Sequence, residues 1–119
     1  MRKQITKIKA GSSFYSVEYM GNLRNELDKI LLGQTDLDSE IIEISTDFPY
    51  FVQLKTLHHE GTHGIFAEYD LYGSKDKDVR ENEVASFSRA FLTFIIDNPE
   101  FIRQILKYAG RMKKSWFAK

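Results

Sequence analysis

The spacing of apolar residues changes character along the chain: an alternating period up to about residue 45, then a helical one. Residues 4–20 read as a β-hairpin. Gln4 to Ala10 forms one strand, Gly11-Ser12-Ser13 the turn, and Phe14 to Met20 the other strand, where Tyr15, Val17 and Tyr19 alternate with Phe14, Ser16 and Glu18. Leu23 and Leu27 lie four apart and suggest a short helical turn over residues 23–29. Lys29 to Gln34 reads as a strand, Thr35 to Ser39 as a turn, and Glu40 to Ser45 as the next strand. In that last strand Ile42 and Ile44 would face the core, with Ile41, Glu43 and Ser45 on the other side.

A helix should follow over about Pro49 to Glu68, with Asp47 as N-cap and Pro49 in its first turn. Phe51, Leu54, Leu57 or His58, Gly61 and Ile65 carry the helical spacing. Gly61 and Gly64 each cost a helix about 1 kcal/mol relative to Ala, so a neighbouring element is expected to approach closely there. Asp78-Val79-Arg80-Glu81 is a capping box opening a second helix, with an apolar stripe of Val84, Phe87, Phe91, Phe94 and Ile95. Asp97 or Asn98 should cap a third helix from Pro99 to about Ala109, stopped by Gly110. The expected fold is α+β: a small antiparallel sheet, made of the N-terminal hairpin and a second hairpin, packed against two or three helices.

Composition narrows the functional classes. A chain of 119 residues, 42% hydrophobic and 13% aromatic, fits one globular domain over residues 1–119 with a basic, aromatic tail at 111–119. Zero formal net charge gives no global pull toward nucleic acid or membrane. The tail's Lys/Arg–aromatic mix is the one feature suggesting nucleic acid, and no readout helix or stacking motif accompanies it, so no such partner is expected. Neither a signal peptide nor a membrane-spanning run is expected, and the expected location is cytoplasmic. With no Cys, a metal site would have to use His and carboxylate.

The chemistry concentrates in Leu57-His58-His59-Glu60-Gly61-Thr62-His63-Gly64, which contains the pattern H-E-x-x-H. On a helix, His59 and His63 share a face and can aim two imidazoles at one Zn²⁺. Glu60, one position round, is placed to act as general base on a water held there. His58 falls on a different face and reads as structural, and Glu68 reads as solvated. A zinc site needs a third protein ligand. Glu83, four residues before Phe87 at the edge of the second helix's stripe, is the candidate; pairing with Arg80 or Arg89 explains it equally well from the residues alone.

Glu83-Val84-Ala85-Ser86-Phe87-Ser88, about twenty residues beyond the H-E-x-x-H helix, resembles the second signature of the gluzincin metallopeptidases, in particular the ImmA/IrrE-like group and its small phage or prophage-encoded relatives. Leu31 to Asp36, Glu40 to Ile44 and Asp97-Asn98-Pro99 are similar to their flanking segments, so the resemblance covers roughly residues 13–105. It implies a minimal zincin-like architecture, with His59, His63 and Glu83 as zinc ligands and Glu60 as the base of peptide-bond hydrolysis. It also implies that a peptide could lie along Ile41, Ile42, Glu43 and Ile44 as an edge strand. Larger gluzincins use a further His or Tyr to stabilise the oxyanion; here Tyr69, Tyr72 or Tyr108 would have to serve. The implied partner is a peptide or protein substrate such as a regulator. Gly61 stands where the family has a bulky apolar residue, and Phe91-Leu92-Thr93 stands in place of the Leu-Met-Pro ending. A catalytically inactive protein-binding module on the same fold is the alternative.

Overall fold

A computed structural model describes residues 4–71 and 77–117, without the side chains of 77–81, 83, 84, 88 and 112–117. Four strands precede three helices: β1 (Lys7–Ala10), β2 (Ser13–Met20), β3 (Gly33–Asp36), β4 (Ile41–Ser45), α1 (Tyr50–Tyr69), α2 (Lys77–Asp97) and α3 (Pro99–Phe117). The α+β class is the expected one. The sheet is mixed, in the order β1-β2-β4-β3. β1–β2 and β3–β4 are antiparallel, and β2–β4 is parallel, with Val17 opposite Ile42 and Tyr19 opposite Ile44. A parallel pair needs a crossover connection. Residues 21–40 supply it, and β3 folds back from that connection onto the outer side of β4.

The pleat sorts the strands as their pattern required. Ile8, Ala10, Tyr15, Val17, Ile42 and Ile44 are buried on one face of the sheet, joined by Leu54, Leu57 and Ile65 of α1 and by Phe94 and Phe101. Each fully buried Ile or Leu contributes about 1.5–3 kcal/mol. Ser45, expected on the outer face, is buried as well. The two α1 glycines serve close packing. A Cβ on Gly64 would lie 3.0 Å from the Tyr15 ring, and one on Gly61 would lie 3.4 Å from Phe94. A strand thus approaches one glycine and a helix the other.

Local details depart from the sequence expectation. Residues 23–29 form no helical turn. They belong to an irregular loop with an Arg24–Ile30 bridge, and Leu23 is its buried anchor. Thr35 and Asp36, expected in a turn, lie in β3. Asp47 does not cap α1; the N-cap is Pro49, without a side-chain bond, and the Asp47 carboxylate accepts from the Asn22 N–H at 2.8 Å. The α3 helix continues past Gly110, because the flanking Ala109, Arg111, Met112 and Lys113 are good helix formers and the glycine costs only about 1 kcal/mol. The capping box at Asp78 and Glu81 lies outside the described residues. Among the described residues, no helix is long and apolar enough to cross a membrane.

Candidate metal site

The α1 helix lies across the sheet, so one flank of it meets β3. Gly33 permits this contact: a Cβ there would lie 2.6 Å from Thr56 Cγ2. Two residues on, Thr35 points to the same face. Its hydroxyl donates to Glu60 Oε1 at 2.8 Å, and the Glu60 carbonyl lies 3.2 Å from the same oxygen. Glu60 is therefore buried between helix and strand, 7% exposed, with its carboxylate held in one orientation.

His59 and His63 flank it on the exposed side of the helix. Their ring centroids are 5.0 Å apart, and His59 Nε2 lies 3.9 Å from Glu60 Oε2. One ligand atom from each of His59, Glu60 and His63 can be chosen so that all lie within 4.8 Å of one another. The three residues form a His-Glu-His cluster close enough to hold a metal ion. Ligands at about 2.0–2.1 Å from a tetrahedral zinc stand roughly 3.3 Å apart, so a modest rotation of the exposed imidazoles closes the gap. Two imidazoles suit a borderline ion, and the Glu60 carboxylate stands beside them, where it can bind the ion or act on a water held there.

A cleft of about 430 Å³ opens beside the cluster. It is lined by Glu60 and His63 of α1, by Gly33, Gln34 and Thr35 of β3, and by Asn25, Leu31 and Leu37. This geometry corrects the expected peptide-binding edge. Ile41, Ile42, Glu43 and Ile44 form β4, which is paired on both sides, so it has no free edge to offer. The edge beside the cluster is β3. The Leu32 carbonyl accepts from Ser45 N–H at 2.9 Å, so with strict alternation Gly33 and Thr35 turn their N–H and C=O groups outward.

The remaining candidates are scattered. Glu83 lies in α2 one turn before Phe87, whose ring packs edge-on against Phe66 of α1; its side chain lies outside the described residues, as does all of Tyr72. Tyr69 packs against the core. Tyr108 stacks on Phe51 with centroids 4.8 Å apart, in a groove on the His58 side of α1. Neither tyrosine lines the cleft. His58 meets Phe91 edge-on at 6.0 Å, and burial, with some help from the charge of His59, pushes its pKa down. Glu68 is exposed, yet it accepts from both the hydroxyl and the N–H of Ser12 and from the Ser13 hydroxyl. The Ser12 hydroxyl is the main cause that holds its carboxyl below the usual range.

A strand at Lys29 to Gln34 is expected from the sequence, but Thr35 and the outward edge of β3 are parts of this site that the sequence pattern does not single out. The available signal was Gly33-x-Thr35, a small residue and a hydroxyl two apart on one strand face. No known family model, curated protein or solved structure matches the chain.

Proposed function

We propose that the chain is a zinc-dependent metallopeptidase of the ImmA/IrrE-like gluzincin type, encoded by a phage or other mobile element. The observation that carries this reading is the buried Glu60, oriented by Thr35 between two exposed imidazoles at the end of an open cleft. His59 and His63 would hold the zinc, with Glu83 as third protein ligand. Zinc there would supply a Lewis acid and bring a water's pKa toward ~7. Glu60 takes the proton of the attacking water and passes it to the departing amine. Thr35 keeps the carboxylate aimed while it does so. The substrate strand lies along the outward N–H and C=O groups of Gly33 and Thr35, which fix its register relative to Glu60.

The open β3 edge would serve a non-catalytic binding module equally well. Elemental analysis and a peptide-library screen of wild type, Glu83→Ala and Glu60→Gln separate the two. The peptidase reading expects about one zinc per chain, loss or weakening of zinc in Glu83→Ala, and zinc without hydrolysis in Glu60→Gln. Zinc-loaded wild-type protein that cleaves no peptide would leave the binding module. Absence of zinc after zinc is supplied would end both the metal assignment and the enzyme.

A further inference from the structure

The loop that leads into β3 presents apolar side chains to solvent on a well-bonded frame. Leu31 N–H donates to the Leu23 carbonyl at 3.0 Å, and Asn25 N–H to the Lys29 carbonyl at 3.0 Å. The Asn25 side chain accepts from the N–H groups of Leu27 and Lys29 at 2.9 and 3.0 Å. On this frame Leu27 is 75% exposed and Ile30 64%, while Leu32 and Leu37 at the two ends of β3 are 48% and 41% exposed. A single exposed Leu means little, but Leu31 and Leu37 line the cleft, and Leu27 and Ile30 belong to the same loop as the cleft-lining Asn25 and Leu31, a grouping of the kind that marks an interaction surface.

The same region is acidic. Residues 23–40 hold Glu26, Asp28, Asp36, Asp38 and Glu40 against Arg24 and Lys29, a net charge of −3 in a chain whose total is zero. Arg24 is already engaged, with its guanidinium 3.8 Å from the Asp28 carboxylate. Asp36 accepts from the N–H groups of Asp38 and Ser39, and these bonds, Ser39's first, hold its carboxyl below the usual range.

The geometry points to an extended, basic polypeptide segment with bulky apolar side chains as the occupant of the β3 cleft. Its backbone pairs with Gly33 and Thr35. Its apolar side chains cover Leu37 and the Leu27–Ile30 loop, and its Lys or Arg residues meet the acidic residues of segment 23–40, Asp36 at the end of β3 among them. The inference rests on the peptidase reading for the fate of the bound segment but not for the binding.

The test is fluorescence anisotropy with metal-free, full-length wild-type protein and short labelled peptides. One peptide alternates Leu or Phe with Lys and Arg, and its isomer carries Glu and Asp in place of the bases. A third is the basic peptide with alternate backbone nitrogens methylated. The basic peptide should bind about tenfold more tightly than the acidic one at low salt, with the difference shrinking as salt rises. Methylation should abolish binding, and the double variant Leu27→Ser, Ile30→Ser, confirmed folded by circular dichroism, should weaken it about tenfold. Equal binding of the two isomers, indifference to methylation and to the double variant, or no binding of any peptide overturns the inference. Because the measurement uses neither zinc nor turnover, selective binding here combined with no hydrolysis by the zinc-loaded protein would reject the enzyme and keep the docking surface.

Discussion

The two edges of the sheet receive opposite treatment. At the β1 edge, the buried Asn98 amide donates to the Lys9 carbonyl and accepts from the Lys9 N–H, both at 2.9 Å. One side chain thus occupies the outward groups of Lys9 much as a neighbouring strand would. It also donates to the Phe94 carbonyl at 2.8 Å, at the end of α2. At the β3 edge no backbone partner among the described residues meets Gly33 or Thr35, and the His-Glu-His cluster stands alongside. A free edge invites unwanted strand pairing and is normally closed. Where one edge is plugged at Lys9 at the cost of a buried polar residue and the other has no such plug, the unplugged one is the place to look for function.

The largest expected effect tests the open edge. Replacing Glu60 by Gln should leave the fold and zinc content unchanged and lower peptide hydrolysis by about 100- to 10,000-fold. A variant that retains wild-type turnover would show that the carboxylate beside β3 is only structural. On the closed edge, Asn98→Ala removes three hydrogen bonds and leaves the Phe94 carbonyl without this donor. Denaturant unfolding should show a loss of about 2–4 kcal/mol. Size-exclusion chromatography should show new self-association through β1, which would make the two edges alike.

Smaller changes sharpen the contrast. Gly33→Ala places a Cβ 2.6 Å from Thr56 Cγ2 and 2.8 Å from the Glu43 carbonyl, so β3 must move away from α1. We expect a stability loss of about 1–3 kcal/mol, together with loss of the Thr35–Glu60 bond. Thr35→Val keeps the shape of the strand and removes only the hydroxyl. Hydrolysis should fall about tenfold in kcat, with KM little changed, and Thr35→Ser should restore it. If Val and Ser variants behave identically, the hydrogen bond at 2.8 Å has no part in aiming Glu60.

What the sequence made legible follows the range of each interaction. Period-2 and period-3.6 patterns are local, so spacing alone places Ile42 and Ile44, and Leu54 and Ile65, on the core faces, while it leaves Leu57 open against His58 and includes Phe51, which is 40% exposed. The His59/Glu60/His63 grouping was legible because one helical turn brings it together. The parallel β2–β4 pair was not, because Val17 and Ile42 meet across a connection whose own pattern suggests a local hairpin. That single long-range pairing moved the free edge from Ile41–Ile44 to Gly33–Asp36 and concealed Thr35. Asn98 was read as a helix cap because Asn before Pro is a strong local signal. Asn98 does hold that N-cap position, its carbonyl accepting from the Ile102 N–H at 3.1 Å, but its side chain reaches β1, 89 residues away in sequence.

The smallest effect concerns the second tie on the closed side. The β1–β2 turn rests on the end of α1: Gly11, at φ +63°, leaves room for Glu68, whose carboxylate gathers the Ser12 and Ser13 donors. These bonds favour the charged carboxylate, so the folded state holds its pKa below the ordinary 4.5. The unfolded chain binds the proton more readily. The contribution to stability is therefore full above pH 4.5 and is lost as pH falls through the depressed folded value. Glu68 is solvent-exposed, so water and salt screen the effect to less than about 1 kcal/mol. Glu68→Gln should flatten the acid limb of the stability–pH curve below pH 4.5 and leave zinc content and hydrolysis at neutral pH unchanged. Loss of zinc or of hydrolysis in that variant would instead tie the hairpin turn to His63, five residues earlier on α1, and the closed side of the sheet would no longer be independent of the open one.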